Sequence, residues 1–171
     1  MWKLALALVT LPLAAAAQTC TLDFTVTITQ GVGPFPPGAE VQGHATYTAE
    51  GRSFRQEGGA TAHMVEGEMV LDGLSHGDVW TLITTSRAQA ADLVGLYVAR
   101  AEGFSFAGVE FDGPMQLTLF GEPGARATND PPSTQADFDL MNLRRAFTLH
   151  SHRSGRDMLS GEVTRLIAQC S

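Results

Sequence analysis

Two short stretches of this 171-residue chain hold residue types that could do chemistry. The first is Gly73-Leu74-Ser75-His76-Gly77, which matches the Gly-x-Ser-x-Gly spacing of a nucleophile elbow. Asp137 or Asp139 and then His150 or His152 follow, so the hydrolase order Ser, Asp, His is available. Ser75 would be the nucleophile, with Asp139 and His150 behind it. An elbow needs a strand before its serine and a helix after it, so that the helix N-terminus helps hold the oxyanion. Here Asp78 to Thr85, DVWTLITT, is β-branched and alternating. The chain is also short for an α/β-hydrolase and lacks its alternating helices. The stretch reads as a glycine-rich hairpin turn with Asp72 and Ser75 as turn formers.

The second stretch is His150-Ser151-His152. Residues i and i+2 on a strand share a face, so both imidazoles could bind one divalent metal, with Asp157 adding a carboxylate after a short turn. The spacing resembles the first histidine motif of cupins, but the second motif is absent and the residues around Gly161 do not fit. Phase also matters. Leu143, Phe147 and Leu149 read as the inward set, which puts His150 and His152 outside with Arg144 and Thr148, near Arg153 and Arg156. The pair therefore reads as solvated surface. No cofactor is expected, and a divalent metal at this pair is the alternative. Glu66 and Glu68 share a strand face while His63 falls on the other, and His44 faces the polar side of its strand. These read as surface or internally satisfied groups. Trp80, Phe104, Phe106, Phe111 and Phe120 sit at strand spacing and read mostly as core.

The elements that must position these residues are short strands. Residues 20–30, CTLDFTVTITQ, alternate strictly, with Leu22, Phe24, Val26 and Ile28 on one side. A loop of glycine and proline at 31–38 follows, which no helix could cross. Residues 40–48 alternate again, with Val41, Ala45 and Tyr47 inward. Residues 61–71 and 78–85 flank a turn at 72–77 and form a hairpin. Residues 87–102 read as a brief helical turn near 87–92 followed by a strand. Phe104 to Phe111 reads as a strand with a bulge at Gly108, and residues 115–119 as another strand. Residues 121–135 form the one long loop. Two last strands lie at about 142–152 and 157–168, hinged at Ser154-Gly155. The count is about nine or ten, which predicts an all-β antiparallel sandwich, jelly-roll-like, or a closed barrel.

The termini place the protein. Lys3, the apolar run Leu4 to Leu13 and Ala14 to Ala17 have the order of an export signal, with cleavage expected between Ala17 and Gln18. The run is too short for a comfortable membrane span, so no transmembrane segment is expected after cleavage. An uncleaved anchor is the alternative. Residues 18–171 then form a single domain. The only lysine leaves with the signal, so 10 Arg face 18 Asp and Glu, a net charge of −8. There is no basic stripe, which argues against nucleic acid and anionic membrane surfaces as partners. Both cysteines, Cys20 and Cys170, bracket the domain, and in an oxidising compartment they most simply pair. Pairing would make the first and last strands antiparallel neighbours.

The run from Phe138 through LMNLRRAFTLHSH to Gly161-Glu162-Val163-Thr164-Arg165-Leu166, together with VQGHATYT at 41–48, resembles β-sandwich ectodomains of bacterial exosortase-sorted surface proteins. Those proteins end in a sorting motif, a hydrophobic helix and basic residues; this sequence ends at Cys170-Ser171. The resemblance implies an extracytoplasmic sandwich and no catalytic residue. The leading expectation is an exported, periplasmic or extracellular, non-enzymatic β domain. It would bind a protein, glycan or small ligand, or serve as an envelope component. The alternatives are a small serine or metal-dependent hydrolase and a small-ligand carrier with a barrel cavity.

Overall fold

The computed structural model describes residues 18–153 and 158–171, so the expected signal at 1–17, the Ser154-Gly155 hinge and Asp157 lie outside the described residues. The strands are β1 (Thr19–Gln30), β2 (Glu40–Arg55), β3 (Thr61–Leu71), β4 (Ser75–Thr85), β5 (Asp92–Val98), β6 (Phe104–Phe106), β7 (Val109–Phe111), β8 (Met115–Gly121), β9 (Arg144–His150) and β10 (Met158–Cys170). One short helix, α1, spans Gln135–Asp139. Every pairing is antiparallel, and eight strands close a barrel in the order β1-β2-β3-β4-β5-β8-β9-β10 and back to β1. Apart from the small β6–β7 hairpin, each strand neighbours the next in sequence. Of sandwich and barrel, the chain forms the barrel, in which every strand has a neighbour on both sides.

Alternation explains the closure. Leu22, Phe24, Val26 and Ile28 of β1 are all buried, as are Val94, Leu96 and Val98 of β5 and Met115, Leu117 and Leu119 of β8. Each strand turns one face inward, and eight strands make a barrel just wide enough for side chains to fill. Phe24 and Phe147 meet across the interior with ring centroids 6.4 Å apart. Gly43 makes room for the Phe24 ring, because a Cβ there would lie 2.1 Å from its Cε2. Any larger residue at 43 must displace that ring.

The first and last strands are neighbours, as the cysteines predict. Cys20 lies opposite Cys170 in the β1–β10 register, and the two form a disulfide with Cα atoms 4.1 Å apart. Among the described residues no helix is long and apolar enough to cross a membrane.

Four local expectations are corrected. Residues 87–92 form no helix: the Asp92 carboxylate gathers backbone N–H groups from the bend before it, including Ala88 at 2.9 Å, and side chains that do so favour turns. Gly108 is not a bulge. Ala107 and Gly108 both have positive φ, 50° and 81°, and form the two-residue turn of the β6–β7 hairpin. Leu143 is 51% exposed, because β9 starts only at Arg144 and its inward phase begins after it. Trp80 and Phe106 stand outside the core, 58% and 45% exposed.

Candidate binding groove

The barrel separates the residues of the hydrolase reading. Ser75 begins β4 at one mouth, where it is buried and its Oγ donates to the Met115 Sδ at 3.1 Å. His150 ends β9 at the same mouth, but one residue beyond inward-facing Leu149, so it points to the outer side. Asp139 ends α1, beside the start of β9 and the end of β10, at the opposite mouth, where it accepts from the Gln135 amide at 2.7 Å. A strand of the length of β8 lies between the two mouths, about 20 Å at the usual rise. No helix follows Ser75; the strand simply continues. Ser75, Asp139 and His150 are not brought together.

The metal reading fares similarly. His150 pairs with Met158, while His152 lies beyond the end of β9, with its backbone N–H donating to Asp112. Among the described residues no three His, Cys, Asp or Glu side chains converge on a site for a metal ion.

The mouth where β1 begins and β10 ends holds a polar cluster that the sequence reading did not find. The loop 121–135 and α1 fold over this mouth and bury Phe138 and Met141 completely. Thr134 caps α1 in a reciprocal box with Asp137, and that Thr-x-x-Asp spacing is the sequence signal for the helix. Asp92, fully buried, accepts the Arg126 N–H at 2.8 Å. Burial alone would raise its pKa, but donation from backbone N–H groups outweighs burial and holds the carboxyl below its usual range. Tyr47 donates to the Pro132 carbonyl at 2.9 Å, and burial pushes its phenol far up. His63 Nε2 donates to the Asn129 carbonyl at 2.7 Å. Burial pulls the His63 pKa down, against the opposing effect of that bond, so the ring is held neutral. Thr84 also donates to the Asn129 carbonyl, and the Asn129 amide donates to the Gly59 carbonyl at 2.9 Å. Arg126 is buried, which lowers its pKa, while Asp137, Tyr47, Asp92 and Asp130 favour its charge. Asp92, Tyr47, His63 and Thr84 tie the loop to the barrel, while the Arg126 guanidinium donates to the Asp130 carbonyl within the loop.

From this mouth a groove runs along the outside of β2, β3 and β4. It consists of three adjoining clefts of roughly 370 to 420 Å³ each. The first lies between the cap and the irregular part of β2, lined by Gln18, Glu50, Arg52, His63, Met64 and Asp130 among others. The central one shares Glu50 and Met64 with it and reaches Trp80 and Asp78. The last shares Asp78 and Trp80 and ends at His76, Arg100 and Glu102. Trp80 stands outward at an irregularity in β3–β4 pairing, where Val65 and Glu66 of β3 lie opposite Trp80 alone. Bulges of this kind re-aim side chains.

Comparison with known proteins finds no matching family model, no similar curated protein and no matching solved structure.

Proposed function

We propose that this chain is an exported, non-enzymatic β domain that binds its partner on the outer surface, in the groove over β2, β3 and β4. The observation that carries the reading is the groove itself, with a tryptophan standing 58% exposed at its centre. Other large apolar side chains of the barrel are exposed as well, Phe54 among them, but Trp80 is the one seated in the groove, and a tryptophan in a cleft is a common anchor in recognition surfaces. The groove favours a binding role over a purely structural one in the envelope. The signal-like residues 1–17 and the disulfide support export, because such bonds persist in oxidising compartments. The filled interior weighs against a carrier that swallows a small ligand. The separation of Ser75 from Asp139 weighs against a serine hydrolase.

Native mass spectrometry of the protein from its own host, with oxidative footprinting of Trp80, tests this reading. A retained adduct that shields Trp80 from oxidation is the expected result. Labelling of Ser75 by a fluorophosphonate probe, or metal retained through dialysis against chelator, would overturn it.

A further inference from the structure

We propose that the groove takes an extended basic segment of a protein partner, with an arginine or lysine side chain laid against the Trp80 ring. This rests on the reading of the groove as the binding surface. The central cleft is lined by Glu50, Met64, Glu66, Asp78 and Trp80 among others; Glu50 is paired with Arg52 from the adjoining cleft, and Glu66 and Asp78 are the carboxylates that Arg52 does not engage. Its floor is apolar and its walls are acidic. That combination suits the aliphatic stem and cationic head of arginine or lysine. The indole face attracts a cation held over it, and tryptophan does so best of the aromatic residues.

Charge on the neighbouring strands points the same way. Glu68 lies directly opposite Asp78 in the β3–β4 register, and like charges placed so destabilise a sheet. A cationic partner would relieve that repulsion. Within the groove, Arg52 is already engaged with Glu50 at 2.5 Å; at the far end the His76–Glu102 pair lies 3.2 Å apart and Arg100 leans toward Asp112 at 3.9 Å, so the acidic stretch that a cation would meet is the central one, at Glu66 and Asp78. The chain as a whole carries −7, which draws basic partners toward it.

The architecture selects the mode of recognition. Each strand of the closed barrel has a neighbour on both sides, although β4 pairs with β5 only from Thr81 onward, so side chains rather than an added strand offer most of the contacts. Three adjoining clefts suit an extended segment better than a single small cation.

Trp80 is the only tryptophan besides Trp2, which lies in the expected signal, so in a chain that begins at Gln18 the indole emission reports on this groove alone. The probe is acetylated, amidated penta-arginine, with penta-glutamine as its neutral counterpart. The expected result is a saturable emission change with penta-arginine, weakened by salt, and none with penta-glutamine. By calorimetry, W80A should bind penta-arginine about tenfold more weakly, and E66Q or D78N about threefold more weakly. E162Q, which removes an exposed charge on β10 across the barrel, should bind like the wild type. Trp80 is a surface residue, and circular dichroism would confirm that W80A folds.

Equal binding by W80A and wild type would overturn the proposal. So would an E162Q loss as large as that of D78N, which would reduce the attraction to overall charge. If the peptide fails but native mass spectrometry finds another adduct shielding Trp80, the basic class falls and the groove reading stands. If penta-arginine binds while Trp80 oxidises freely in its presence, the groove reading falls as well.

Discussion

At one mouth of the barrel, loop 121–135 is tied down by charged and polar groups. Asp92 gathers backbone N–H groups, and His63 and Thr84 share the Asn129 carbonyl. A disulfide beside them joins the two ends of the domain. At the other mouth the closure is aromatic. Phe104 stacks on Phe111 with centroids 4.9 Å apart and meets Phe35 edge-on at 5.3 Å, while the ring of Phe106 covers Gly33. Both closures exclude water from the same core. The first does so with titratable groups whose pKa values it shifts, the second with rings that do not titrate. One closure should therefore respond to redox state and pH through its buried groups, while the aromatic closure has titratable groups only around it, in the His76–Glu102 and Arg100–Asp112 pairs.

The largest expected effect comes from the clasp. In the loop-entropy description, cross-linking residues 150 apart contributes about 5 kcal/mol. The double variant C20S/C170S should melt about 10 to 20 °C lower by circular dichroism, with the same far-ultraviolet spectrum. Hydrogen exchange should rise first at the ends of β1 and β10 and in the cap. Equal loss of protection around Phe104 and Phe111 would break the distinction between the mouths.

The aromatic mouth has its own test. Phe111 is 2% exposed, and F111A should cost about 3 to 5 kcal/mol. Urea titrations at neutral and mildly acidic pH should give the same loss. A pH-dependent loss would mean that the rings are coupled to titratable groups, either the neighbouring Asp112 and His76–Glu102 or those of the polar mouth.

The next effect is smaller and acidic. Asp92 is ionised in the fold and its carboxyl is held below the ordinary range. Its contribution is present above the unfolded value, about 3.9, and is lost as pH falls through the lower folded value. D92N replaces an acceptor by a group that also carries donors, and should cost about 2 to 3 kcal/mol at neutral pH. It should also flatten the acid limb of the stability curve. Asp137, whose carboxyl is lowered too, keeps part of that limb.

Much of the barrel was legible because β structure repeats every two residues, and β1, the first half of β2 and β8 show that period openly. The cysteine positions alone predicted the neighbouring of β1 and β10. The polar cap was not legible. Asp92 and Arg126 are 34 residues apart, and neither stands out from its neighbours in sequence. Helix α1 spans five residues, too few to show a helical period, and only the Thr134–Asp137 box marks it. Trp80 was misplaced because a strict period of two assumes unbroken pairing, and the irregularity opposite Val65 and Glu66 breaks it. The order Ser75, Asp139, His150 was present in the chain, but linear order carries no information about which mouth a residue occupies.

His63 gives the finest comparison. Its ring is 8% exposed, its Nε2 donates to the Asn129 carbonyl, and burial lowers its pKa. The unfolded chain, with a histidine near 6.5, then binds more protons than the fold between the two values. Stability must rise with pH across that window. The contribution is complete above about 6.5 and is lost as pH falls toward the folded value. This lies on the alkaline side of the Asp92 window, so the two can be read from one curve. H63Q keeps an amide able to donate to Asn129 but cannot take up a proton. It should cost about 1 kcal/mol at pH 8 and show a shallower decline toward pH 5 than the wild type. The check is a set of urea titrations of both proteins at half-unit pH steps. Parallel declines would place the proton uptake elsewhere and remove His63 from the account of the polar mouth. A decline in the wild type accompanied by faster exchange in loop 121–135, absent in H63Q, would tie that pH response to the cap.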